Sequence, residues 1–226
     1  MSHPVTFAEG RINLSGVELE LDPSLSFNMR EAISSGGYER SERDMVEAAI
    51  RPWDSVVELG AGIGLLSTLC AQKVGSHKVH AYEANPAMIP LIRNTYRRNG
   101  VKPFLHNAIF GERQGEQTFY LHPDFWLSST VQNPVWSSLP TVQVPMVSGS
   151  EVLAEVKPSF LICDIEGGEA DLFKTLELPQ ETKKLLVETH PRVIGVKGVD
   201  RLLADFYAVG FELGATSGDV WFLCRS

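Results

Sequence analysis

Three short stretches carry residues whose types and spacing could do chemistry: ELGAGIG from Glu58, CDIEGGEADLF from Cys163 and LLVETHP from Leu185. The first sets Gly60, Gly62 and Gly64 at every second position between two apolar runs. Glycine removes the Cβ atoms that would hold a ligand off the backbone. A strand that turns there into a helix aims the helix's free N–H groups at whatever sits above the sheet. Three glycines so spaced favour a binding loop over a bare tight turn. In the second stretch, side chains alternate along a strand, so Asp164 and Glu166 share a face if the extended chain continues to Glu166. Glu169 fits helix capping as well as it fits function. In the third, Glu188 and His190 share a face by the same period. Neutral histidine is closer to the operating pH than a carboxylate, so His190, oriented by Glu188, is the expected general base. His3, His77, His80, His106 and His122 have no comparable setting.

These positions must be held at strand ends. The pattern predicts strands over 56–59, 78–82, 104–105, 160–165 and 184–188, with helices over 63–74, 86–99, 169–176 and 200–209. SERD at 41–44 reads as a capping box opening a helix through Ile50, and Asn85-Pro86 as a cap and first helical residue. Two closing strands, 211–214 and 220–224, lie a short turn apart and must pair antiparallel. Alternating strands and helices imply a mostly parallel sheet covered on both faces, with ligands at the strands' carboxyl ends. Residues 1–30 alternate weakly and suit a hairpin or edge strands. Residues 111–150 change to turn residues, aromatics and short alternating pieces. They read as a β-rich insertion within a single domain spanning 1–226, and residues 1–40 as an N-terminal segment able to cover the site.

Glu83, at the end of VHAYE, is placed to accept the ribose hydroxyls of an adenosine ligand. Dinucleotides and S-adenosylmethionine both use such an acid, but the dinucleotide fingerprint is GxGxxG and this chain has GAGIG. Glu58, just before the loop, favours a ligand bearing an ammonium group. Charge agrees with a small ligand: the formal net charge is −8 with carboxylates spread along the chain, against a general nucleic-acid binder. No basic and apolar leader opens MSHPVTFAEGRI and no apolar run is long enough to span a bilayer, so a cytoplasmic chain off the membrane is expected. Cys70, Cys163 and Cys224 read as buried free thiols.

ELGAGIG, YEANP with a helix ending in NG, DIEGGE and ETHP, in this order, resemble the FkbM family of S-adenosylmethionine-dependent methyltransferases. GGYER at 36–40 resembles that family's GxYE segment. Glu58 stands where many members have Asp, and Asn85 where a proline-rich EP motif is common. The resemblance implies a Rossmann-like class I methyltransferase fold, with a mostly parallel seven-stranded sheet and a C-terminal antiparallel hairpin. It also implies O-methylation of a hydroxyl on a sugar or other small natural product. Cofactor contacts are expected from Tyr38, Glu58, Gly60, Ala61, Gly62, Glu83, Ala84, Asn107, Ala108 and Asp164, and catalysis from His190, Asp164, Glu166 and Glu188. Those last four could hold a divalent cation, but their spacing matches no recognised metal motif and none is expected. Two rivals stand beside this reading: an NAD-dependent oxidoreductase, and a non-catalytic domain that senses S-adenosylmethionine. The aromatics Phe119, Tyr120, Phe125, Trp126 and Trp136 argue for an acceptor pocket and against the sensor.

Overall fold

The structure is a computed structural model and describes residues 6–8, 10–131 and 138–226; His3 and Trp136 lie outside the described residues. The first strands, β1 (Thr6–Ala8), β2 (Arg11–Leu14) and β3 (Val17–Glu20), form a small antiparallel sheet of their own. Helices α1 (Phe27–Ser34) and α2 (Arg40–Ala49) follow. Then strand and helix alternate through β4 (Val56–Leu59), α3 (Leu65–Val74), β5 (Val79–Tyr82), α4 (Ile89–Arg98) and β6 (Phe104–His106).

A second small sheet comprises β7 (Ile109–Gly111), β8 (Gly115–Tyr120) and β9 (Thr141–Ser148), in the order β7-β9-β8. The alternation resumes with α5 (Gly149–Val156), β10 (Phe160–Cys163), α6 (Glu169–Leu172), β11 (Lys184–Glu188), α7 (Pro191–Ile194) and α8 (Val196–Ala208). The hairpin β12 (Glu212–Ser217) and β13 (Val220–Cys224) closes the chain.

The main sheet has seven strands in the order β12-β13-β11-β10-β4-β5-β6, parallel except at β13, which pairs antiparallel with both its neighbours. This is the α/β, Rossmann-like architecture expected from the sequence. Its central strands are buried on both faces. Val56, Ile162 and Leu186 join one apolar layer with α2 and α3, while Val57, Leu161 and Leu185 join the other with α8. The N-terminal sheet packs into the first layer through Ile12, Leu14, Val17 and Leu19. Among the described residues of the N-terminal segment, only Ala32 and Gly37 to Arg40 reach the central cavity.

Two expected starts and one expected end differ. Ser41 does not open α2: the cap position is Glu39, in the left-handed region at φ 47 and with no side-chain cap bond. Asn85 does not start α4; its side chain accepts from Ala87 N at 3.0 Å, a local turn, and the helix begins at Ile89. The strand at β10 ends at Cys163, short of Glu166. Cys224 is exposed, whereas Cys70 and Cys163 are buried as expected. Among the described residues no helix is long and apolar enough to cross a membrane.

Candidate active site

Register brings the three motifs together. Leu59 pairs with Cys163 on one side and Tyr82 on the other, and Cys163 pairs with Val187. The next residue on each of these four strands is therefore Gly60, Asp164, Glu83 and Glu188, side by side at the carboxyl edge. Above them lies a cavity of about 1040 Å³. Gly60, Gly62, Glu83, Ala84, Ala108, Tyr38, Asp164, Glu166, Glu188 and His190 all line it, as do Phe119, Phe125 and Trp126 from the 111–150 region. Tyr120 is not among its walls.

Three expected contacts sit elsewhere. Glu58 shares a strand face with Val56 by period two, so it points under the loop toward α3, where it hydrogen-bonds Ser67. It is 1% exposed, and burial pushes its carboxyl up to about 8. Ala61 is buried in the apolar cluster of α4. Asn107 donates to the carbonyls of Glu83 and Ala84 at 2.8 and 3.0 Å and so holds the β5–α4 turn, without itself facing the cavity.

The glycine loop is closed on itself. Gly60 N and Ala61 N donate to the Tyr82 carbonyl, Gly64 N to the Ala61 carbonyl, and Gly62 N to Glu83 Oε2 at 2.9 Å. The other Glu83 oxygen accepts from Asn85 N at 2.7 Å. Burial raises the Glu83 carboxyl to about 7 against the pull of these backbone bonds. Gly60, at φ +85, is tight because of the protein: a Cβ would lie 1.7 Å from the Asp164 carbonyl oxygen. A Cβ on Gly64 would meet Ile92 at 2.9 Å. Only at Gly62 is the nearest atom a cavity-lining side-chain tip, the Tyr38 hydroxyl at 2.5 Å.

On the opposite wall the chain leaves β10 and turns sharply. Glu166 takes φ 54 and Gly167 φ 97, so Glu166 reaches the site through a left-handed turn and not by strand alternation. Ser129 Oγ donates to the Glu166 carbonyl at 2.8 Å and ties this turn to the 111–150 region. His190 Nε2 lies 3.1 Å from Glu166 Oε2 and 3.7 Å from Asp164 Oδ1, and Nδ1 lies 2.8 Å from Glu169 Oε1. Glu188 does not orient it; Glu188 hydrogen-bonds Glu42. The orienting acid is Glu169, fully buried and also accepting from Gly167 N at 3.0 Å.

These contacts change the expected chemistry of His190. Burial opposes its charge, but the hydrogen bonds to Glu166 and Glu169 and the field of Asp164 outweigh burial and raise it to about 11. The same contacts favour the protonated ring over the neutral one that a general base needs. The carboxyls are raised as well, which for an acid favours the neutral form. Burial and then the charges of Glu188 and Glu166 raise Asp164 well above the usual range. Burial and Glu42 raise Glu188 to about 8.

Two further acids, Glu39 and Glu42, line the cavity and were not anticipated. Glu39 stands beside Tyr38, whose hydroxyl it hydrogen-bonds, and its carboxyl is raised by burial. Arg43 fixes this corner by donating to the Tyr38 and Gly36 carbonyls at 3.1 and 2.7 Å. The GGYER stretch carried the signal, but a left-handed glutamate cannot be read from residue type.

No family model matches the chain, and no curated protein matches it. Among solved structures it is similar to the ribosomal protein L11 methylase of Lactobacillus delbrueckii subsp. bulgaricus, at 14% identity and a TM-score of 0.48 over 85% of this chain and 82% of that one. It is also similar to TYW2 of M. jannaschii in complex with AdoMet, at 13% identity and 0.45 over 96% and 85%. A third is the precorrin-6y C5,15-methyltransferase of Geobacter metallireducens GS-15, at 11% and 0.47 over 83% and 88%.

Proposed function

We propose that this chain binds S-adenosylmethionine and transfers its methyl to a hydroxyl of a small-molecule or glycan acceptor. The observation that carries the reading is the state of the glycine loop and the charge beside it. Four loop amides, Gly60, Ala61, Gly62 and Gly64, already have partners within the protein. A dinucleotide pyrophosphate needs such amides free. The walls are acidic, with Glu39, Glu42, Glu83, Asp164, Glu166 and Glu188 against Arg40 and His190. Such walls offer a pyrophosphate few cationic partners, and their carboxyl oxygens suit a ligand carrying a sulfonium and an ammonium, whose charges favour their ionised form. These features disfavour the NAD-dependent alternative, and the aromatic walls of the cavity disfavour a sensor.

The reaction is an in-line displacement at a methyl already activated by positive sulfur. Alignment of oxygen, carbon and sulfur supplies up to ~7–11 kcal/mol of the barrier. Removal of the hydroxyl proton by a positioned base contributes ~10²- to 10⁴-fold. We assign the base to Glu188, because a carboxyl raised to about 8 is matched to neutral or mildly alkaline pH. His190 positions Glu166 and Asp164 electrostatically. Glu83 holds the ribose hydroxyls with its remaining lone pairs.

Calorimetry with S-adenosylmethionine, S-adenosylhomocysteine and NAD tests the cofactor, and a methyl-transfer screen across hydroxyl compounds tests the acceptor. Binding of NAD without either sulfur compound would overturn the reading.

A further inference from the structure

We infer that Asp164, Glu169 and His190 form a site for one divalent cation of the manganese class. Among the described residues, one donor atom from each lies within 4.8 Å of the other two. Two donors on a common ion are separated by at most twice the bond length, about 4.2–4.8 Å for bonds of ~2.1–2.4 Å. The three therefore come within reach of one ion, which binds in exchange for the proton that the imidazole otherwise carries. They come from three separate elements, the end of β10, the start of α6 and the turn after β11, and the core behind them fixes their approach.

A second observation points the same way. Glu169 is fully buried, yet its Oε2 has no hydrogen-bond partner, and neither does the buried Asp164 Oδ1 that faces the imidazole. A buried, unpaired carboxylate oxygen costs free energy unless a cation completes it. Two carboxylates with one imidazole suit manganese better than magnesium, which keeps mostly oxygen and water, or a structural zinc, which favours sulfur and nitrogen. Such an ion stands at the rim of the cavity beside Glu166, where an acceptor hydroxyl could approach it. The site is inferred from the donors themselves and does not require the methyl-transfer reading.

The test uses Mn²⁺ alone with the full chain, reading free Mn²⁺ by electron paramagnetic resonance. The expected result is saturable binding of one ion per chain. Affinity should fall ~10-fold or more in Asp164→Asn and in Glu169→Gln, and stay at the parent's value in Glu112→Gln at the cavity wall. If Asp164→Asn or Glu169→Gln fails to fold, His190→Gln is read in the same way. No saturable binding by the parent, or equal affinity in the folded ligand variants, overturns the site.

Discussion

On the β4–β5 side of the crevice Glu83 gives both its oxygens to backbone amides, whereas on the β10–β11 side Glu166 and Glu169 close on the ring of His190. The same residue type is thus held by fixed dipoles in one half and by a mobile charge in the other. Backbone partners survive any single side-chain change. A side-chain ion pair does not, because deleting one member leaves the others buried and unpaired. The first half is a rigid seat and the second an electrostatic network that one substitution can upset.

The most severe way to break this contrast is to disturb the seat's backbone. Gly60→Val should yield no folded protein, because its Cβ would fall 1.7 Å from a main-chain oxygen that cannot move aside. Gly62→Ala should fold, displacing only the Tyr38 hydroxyl, and lose cofactor affinity. Far-ultraviolet circular dichroism and thermal melting decide. A Gly60→Val protein melting like the parent would show that the loop is not braced against Asp164.

Next comes the network. His190→Ala should lower the transfer rate through the Glu166 and Asp164 that it positions, and destabilise the fold by about 3 kcal/mol, the lower range for breaking a buried ion pair. Cofactor affinity should change little. Since the folded pKa is raised from about 6.5 to about 11, the histidine's stabilisation is fully present below pH ~6.5 and is lost as pH rises through about 11. Urea unfolding of parent and variant at pH 6 and pH 10 measures it. A gap that is equal at both pH values would remove the ion pair from the account.

The contrast between halves also marks what the sequence can carry. The strand ends at Gly60 and Glu83 follow from period and glycine placement, whereas β10 stops at Cys163, two residues before the end that its pattern predicts. Partners across the network do not. Glu169 meets His190 only because Glu166 and Gly167 turn left-handed, and a positive φ at a glutamate leaves no trace in residue type. Glu58 follows a simpler rule: the two-residue period with Val56 turns it beneath the loop, although it stands next to the glycines in sequence. A pKa shift on burial depends on tertiary neighbours, so the shifts of His190 and Glu188, on which the proposed base rests, are not legible in residue type.

Within the seat, Glu83→Ala should weaken S-adenosylmethionine binding by about 1.5–3 kcal/mol, the range for a hydrogen bond to a charged group. The loop should keep its course, because its other amides retain the Tyr82 and Ala61 carbonyls. Titration calorimetry gives the affinity, and unchanged binding would take the ribose role from Glu83. For the network, the rate of transfer should rise with pH through about 8 as Glu188 ionises, by up to ~10-fold per unit on the acid side. A profile instead falling away below pH ~6.5 would restore a histidine base.

The smallest effect sharpens the comparison most, because Glu58 lies in neither half. It sits beneath the loop at 1% exposure, with Oε2 unpartnered, a single side-chain hydrogen bond to Ser67 and a carboxyl held up at about 8 by burial. A carboxyl whose folded pKa exceeds its unfolded value of about 4.3 binds its proton more tightly in the folded state. Its contribution to stability is therefore complete below pH ~4.3 and declines as pH rises through about 8. Glu58→Gln keeps the shape and cannot ionise, so it should match the parent near pH 5 and gain on it in Tm as pH rises toward 8.5. The reading is the difference between the two melting curves across that pH range, which cancels the other buried acids common to both. If Gln is the less stable at high pH, Glu58 is ionised in the folded protein and has a cationic partner. It then belongs with the ligand after all, and the seat is electrostatic as well as rigid.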